Sequence, residues 1–204
     1  MRNYLKKIYL TLLESKAKQV LNSDSKLIFI IGDVSRSLYS QQFLEFLTNL
    51  SYHIERTPLG YNHRLGVALT LLGIKAGKSS IKYWISVLFR PVRKLLVKTL
   101  FIIEIAFTND ADVSHFVQLY KPDFLVTTND ITLNIDNLPC YSSKDGIIYF
   151  QGQEIAKILT SNQNHEHVCT YQKGGSAETL KLNNFGVQYE VPSIIAIDIR
   201  NKLS

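Results

Sequence analysis

The chain has 204 residues, 46% of them apolar and 20% charged, and a mean hydropathy of +0.01, which excludes a disordered or fibrous polypeptide. That length can bury one good core without disulfides or a structural metal, and two cysteines, Cys140 and Cys169, form no disulfide framework and fit a reducing compartment. The net charge of +6 is unevenly spread: residues 75–98 hold seven bases and no acid, residues 1–26 hold six bases against two acids, and the rest of the chain holds 15 acids against 10 bases. Basicity therefore belongs to two segments and needs a local explanation.

Met1 to Leu21 carries bases at 2, 6, 7, 16 and 18 and no signal-peptide core, so the expected location is cytoplasmic. No stretch is long and apolar enough to predict a transmembrane helix. Leu5, Ile8, Leu12, Leu13, Ala17, Val20 and Leu21 lie near helical spacing and predict an amphipathic helix over 3–21. Lys26 to Ile31 is a short, β-branched apolar run, the pattern of a central parallel strand, and it ends in Gly32. A helix over 36–50 and a strand over 52–57 complete a βαβ unit.

Residues 62–72 read as helical. Ser79 and Ser80 are N-cap candidates for a helix from Ile81 that Pro91 kinks or divides. Buried strands follow at 100–106 and 123–128, with a short helix over 113–120 between them. In the last third, strands are expected at 146–150 and 167–172 around a helix at 153–160, then a hairpin over 180–191 and a short final helix opened by Pro192. No repeat or linker interrupts the pattern. The expected fold class is α/β, a three-layer αβα domain with a mostly parallel sheet, spanning 1–204: an N-terminal helix to 25, a nucleotide-binding core over 26–130 and a divergent remainder over 131–204.

A strand running into a helix through Gly32, Asp33, Val34, Ser35, Arg36 and Ser37 is where such a protein would bind phosphate, because free amide groups and the helix dipole converge there. A full phosphate loop has glycine, then lysine, where Ser35 and Arg36 stand; Ser37 keeps the hydroxyl that would bind Mg²⁺. Four segments in this order resemble the central, ATP-binding domain of the Mur ligases, nearest the branch that adds D-alanyl-D-alanine. Lys26–Ser37 resembles the phosphate strand and loop. Residues 61–72 resemble the Asn-Asn-x-Ile-Gly segment, with Asn62 on its first asparagine. Residues 101–105 resemble the strand of the Mg²⁺-ligand glutamate, here Glu104, followed by Asp112, and Lys121 to Asn129 resembles the Lys-Pro-Asp strand ending in Thr-Asn.

The resemblance implies an ATP-dependent carboxylate–amine ligase of peptidoglycan-precursor synthesis, acting through an acyl phosphate, with ATP and Mg²⁺ as cofactors. It places nucleotide contacts on residues 32–37 and Asn129, the metal on Ser37 and Glu104, and a substrate contact on Asn62. The chain departs from that pattern at Arg36, at Ser35, in having no histidine between His115 and His165, and in Gln151-Gly-Gln153 where acids are expected. Arginine keeps the lysine's charge, but its wider fork suits a close-packed β/γ-phosphate site poorly. The family's first and third domains fall outside this resemblance. Little or no ligase activity is expected from this chain alone, a pseudoenzyme unless a partner ligase chain supplies what is missing.

Three further readings concern other residues. Residues 81–96 place Ile81, Trp84, Ile85, Leu88, Phe89, Val92, Leu95 and Leu96 on one helical face and Lys82, Arg90, Arg93 and Lys94 on the other. The functional alternative is a non-catalytic module whose basic helix, 81–98, contacts an anionic membrane surface or a partner ligase, and the plainer reading is a surface helix of the domain with a solvated basic face. His165, His167 and Cys169 alternate along a strand and could hold a metal if a fourth ligand joined them, with surface histidines the plainer reading. Nucleic acid ranks last despite a pI of 9.2, because the bases lie on amphipathic helices and not among aromatics on a sheet face.

Overall fold

The strand β1, Ser25–Gly32, is buried along nearly its whole length, and its side chains serve two cores. Ile28 and Ile30 point into one apolar cluster, whereas Leu27, Phe29 and Ile31 point into the other. Burial on both faces explains why its sequence is a continuous apolar run and not an alternation. The computed structural model describes residues 2–33, 35–58, 60–75, 80–107, 109–128, 138–161, 168–183 and 187–204.

Around β1 the elements follow in chain order. The helix α1, Arg2–Lys18, precedes it, and α2, Arg36–Leu47, β2, His53–Arg56, α3, Arg64–Leu71, and α4, Ile81–Phe89, come after. Then come β3, Thr99–Ala106, α5, Asp110–Tyr120, and β4, Phe124–Thr127. The last part holds β5, Cys140–Lys144, β6, Ile147–Phe150, β7, Gln153–Ser161, β8, Val168–Lys173, β9, Ser176–Lys181, and α6, Val187–Leu203. Among the described residues the nine strands form one sheet in the order β2-β3-β1-β4-β5-β6-β7-β8-β9. Helices α2 and α6 cover one face, and α1, α3, α4 and α5 cover the other, giving the expected three layers.

The sheet is not mostly parallel. Pairing is parallel from β2 through β5 and antiparallel from β5 through β9, so the second half is a meander of short connections. The segment 153–160, expected as a helix, is the strand β7. The hairpin expected over 180–191 is instead the end of β9 and the start of α6, within which Pro192 sits as an internal residue and not as an opener. The basic segment 81–98 is helical only to Phe89; Arg90 takes an extended conformation and Pro91 follows it. Ser80 is its N-cap, and Ser79 lies outside the described residues.

Polar anchors join the layers. Glu14 of α1, 2% exposed, accepts two hydrogen bonds from Arg64 of α3, at 2.8 and 2.7 Å, and faces His115 of α5 at 3.3 Å. Lys16 of α1 is also buried and donates to the carbonyls of Val87 and Leu88, at 3.0 and 2.7 Å, and of Arg90, thereby capping the C-terminus of α4. Burial, and then the nearby Arg90 charge, pull its ammonium below the usual lysine range. Asp123, from the Lys-Pro-Asp segment, clasps β4 to β1 by accepting from the Leu27 amide at 2.9 Å and from Lys26 at 2.8 Å.

On the opposite face, Tyr141 of β5 donates to Asp198 of α6 at 2.7 Å, and Asp198 also accepts from Lys173 of β8 at 2.5 Å and from Lys202 at 2.6 Å. Burial alone would raise the Asp198 carboxyl, but the three donors outweigh it and hold the group down at about 2. A depressed carboxylate stabilises the fold above its unfolded value of about 4 and loses that contribution as pH falls toward 2. Asp198→Asn should therefore lower stability by roughly 2 kcal/mol at neutral pH, with the gap to wild type closing between about pH 4 and 2 in urea denaturation. Gly66, near the start of α3, has a different constraint: a Cβ there would lie 2.5 Å from the backbone of Tyr61, which cannot swing aside. Gly66→Ala should destabilise the chain by about 1–3 kcal/mol in the same assay.

Candidate functional site

The parallel register puts the carboxyl ends of β1 and β3 side by side, with Ile30 opposite Glu104 and Gly32 opposite Ala106. Chain leaves both strands at the same edge, which is where α/β sheets of this kind present ligand-binding groups. Gly32 must be glycine because β4 ends against it: a Cβ would fall 1.8 Å from the Thr128 hydroxyl oxygen. The Thr128 amide also donates to the Ile31 carbonyl at 2.9 Å, and the Phe107 amide to the Gly32 carbonyl at 3.0 Å.

From Gly32 the chain turns into α2, and the first turn of that helix presents Ser37. Its hydroxyl donates to Oε2 of Glu104 at 2.9 Å, so the two residues expected to share a metal do meet, 67 positions apart in sequence. Glu104 is held in place from the other side. Thr57, just past β2 and buried, accepts the Glu104 amide on its hydroxyl oxygen at 2.9 Å, and its own amide donates to the Ile102 carbonyl at 3.1 Å. Nothing in the sequence pattern marked Thr57, whose only signal is its place at the end of an edge strand.

The loop itself is closed by its own side chains. The Ser35 amide and hydroxyl donate to Oδ1 of Asp33 at 3.1 and 3.0 Å, and these bonds hold the Asp33 carboxyl below the usual range. The Arg36 guanidinium folds back to donate to the carbonyls of Gly32, at 3.0 Å, and of Asp33. An amide and a cation that an incoming phosphate would use are thus engaged by loop carboxylate and carbonyls. Val34 and Asn129 lie outside the described residues.

Asn62 stands apart from this pair. Its carbonyl accepts the Ala106 amide at 2.9 Å, fixing the end of β3, and the residue lines a cavity of about 310 Å³ with Arg64, Asp112 and Phe116. Asn62 and Asp112, separated by 50 residues, therefore share one recess beside the strand end that carries Glu104. Cys169, the described member of the alternating His165, His167 and Cys169 set, is fully buried, and burial and then the Glu190 charge push its thiol up to about 12. His165 and His167 lie outside the described residues, and no cluster of three metal-ligating side chains occurs among those described.

The donor set fits Mg²⁺ in one respect. A hydroxyl and a carboxylate in contact offer two hard oxygens, and that ion commonly takes one or two protein ligands together with waters and phosphate oxygens. The phosphate cradle fits less well as it stands, since Asp33 occupies the Ser35 amide.

No protein-family model matches the sequence, and no curated protein matches it. Among solved structures, MurF ligase from Thermotoga maritima in complex with ADP matches 97% of this chain and 49% of its own, at 12% identity and a TM-score of 0.62. The fold is MurF-like. MurF from Acinetobacter baumannii matches with a TM-score of 0.61 at 13% identity, over 96% of this chain and 47% of its own. A second structure from that organism, described as UDP-N-acetylmuramoylalanyl-D-glutamyl-2,6-diaminopimelate–D-alanyl-D-alanyl ligase, gives 0.59 at 12% over the same shares. The chain thus spans about half the length of the MurF ligases it matches, and at such identity the likeness is one of fold.

Thr57→Val keeps the shape and removes the hydroxyl that receives the Glu104 amide. It should cost about 1–2 kcal/mol in urea denaturation, because a half-buried N–H loses its acceptor.

Proposed function

We propose that this chain is a nucleotide-binding domain of the Mur ligase type that keeps its Mg²⁺ pair, binds Mg²⁺-ATP weakly because its phosphate loop is held shut, and does not form an amide bond on its own. The observation that carries the reading is the 2.9 Å contact between Ser37 and Glu104. A hydroxyl at the start of the helix after the phosphate loop and an acid on the neighbouring strand are the two groups that hold Mg²⁺ in phosphate-loop enzymes. Their meeting at adjacent parallel strand ends is what the fold logic requires of a phosphoryl-transfer site.

When bound, the ion would neutralise charge on the phosphates at the Ser37–Glu104 pair. The chain's own residues set the terms of entry. Asp33 must give up the Ser35 amide before a phosphate can use it, and Arg36 must leave the Gly32 and Asp33 carbonyls before its charge can face the nucleotide. Asp33 also presents a negative charge to an anionic ligand, since its carboxyl is held in the ionised form. The recess at Asn62, Arg64 and Asp112 borders Ala106, at the end of the strand that carries Glu104, and is where this reading puts the group that would react with the nucleotide.

Calorimetric titration of the purified chain with ATP and Mg²⁺ tests this. Weak binding that disappears in Ser37→Ala and in Glu104→Ala is expected. Asp33→Asn should tighten it by about tenfold, roughly 1.4 kcal/mol, by removing a repelling charge and weakening the hold on the Ser35 amide, which then meets a neutral acceptor. An Asp33→Asn chain that still ignores millimolar ATP would sink the proposal.

A further inference from the structure

The basic segment that follows α3 is not absorbed by the nucleotide site. Its buried side is docked: the Tyr9 hydroxyl donates to the Trp84 carbonyl at 3.0 Å, Lys16 caps the helix end, Val87 is fully buried, and Arg93 forms a bidentate pair with Glu55 of β2. Arg93 is therefore a structural cation. The outer side differs in both polarity and charge. Phe89 is 83% exposed and Leu96 94% exposed, with Ile85 and Val97 also largely in solvent. Lys75, Lys82, Arg90, Lys94 and Lys98 are exposed among them, and the stretch 75–98 holds no acid.

We propose that the outer surface of α4 and residues 90–98 docks on an anionic lipid bilayer, with Phe89 and Leu96 entering the interface and Lys82, Arg90, Lys94 and Lys98 facing the headgroups. Two large apolar side chains projecting almost completely from an anchored segment whose charged side chains are all cations match the chemistry of the lipid interface, where apolar tips leave water and cations meet phosphate. A second copy of the chain fits poorly, because apposing this surface with itself sets cation against cation with no acid in the segment to offset them. Nucleic acid would satisfy the cations but leave Ile85, Leu96 and Val97 against phosphate or water. No helix among the described residues is long and apolar enough to cross a membrane, so the contact is a surface one.

The inference is independent of nucleotide binding and is read without ATP. The full chain is floated with phosphatidylcholine vesicles, either pure or one-third phosphatidylglycerol, in low salt and in half-molar salt. Binding to the anionic vesicles alone, lost at high salt, is expected. Each cation removed should weaken partition by roughly fivefold, so Lys82→Glu/Lys94→Glu should weaken it by at least about 25-fold. Phe89→Ser/Leu96→Ser should weaken the low-salt binding to anionic vesicles by at least about tenfold while leaving the melting temperature unchanged, since both side chains are already in solvent. Equal binding to neutral vesicles, no flotation at low salt, or flotation indifferent to Lys82→Glu/Lys94→Glu overturns the proposal. So does a chain that ignores vesicles and forms a dimer that Phe89→Ser dissolves.

Discussion

Everything in this structure depends on β1 being buried on both faces. A strand with solvent on neither side must have a helix layer above and below, must sit inside the sheet, and must find parallel partners reached by crossovers. β3 and β4 take those partner positions, and the Asp123 clasp secures β4. Because all three strands run the same way, their carboxyl ends share one edge. Ser37 follows one of them and Glu104 lies near the end of another, so the candidate metal pair is a by-product of how the central strand is covered.

That same logic explains which parts could be read from sequence. β1 and β3 were legible because double burial writes itself as an unbroken apolar run, whereas Ser37 came from the phosphate-loop pattern and Glu104 from the family resemblance. β7 was misread for a definite reason. Its apolar residues Ile155, Ala156, Ile158 and Leu159 fall at helical spacing, and the register shift between Ile158 and Thr160 removes the strict alternation that marks a half-buried strand. Pro192 misled at the start of α6 in a similar way: it reads as a first-turn residue, yet the helix begins five residues earlier.

Thr57 and the closed loop were illegible on other grounds. Neither depends on a period or a motif, since the first is a contact across 47 residues and the second a choice among rotamers. Pro91 shows an intermediate case. Its power to end a helix was plain, but that the residues after it would be tethered through Arg93 to Glu55, leaving Phe89 and Leu96 projecting, requires knowing where β2 lies.

The change of pairing at β5 has a consequence for how the chain acquires its structure. Contacts within β5–β9 join residues no more than 17 positions apart, whereas β1 waits for partners about 70 and 100 positions downstream. Local closures are fast and distant ones slow, so the meander is positioned to organise early and the parallel half late. The core between α2 and the sheet is finished by α6, whose Ser193 hydroxyl meets Gln42 at 2.9 Å in the interior. During synthesis the side of α2 that meets α6 therefore stays uncovered while some 140 further residues are added, an interval in which this chain is at its most exposed to aggregation or to chaperone capture.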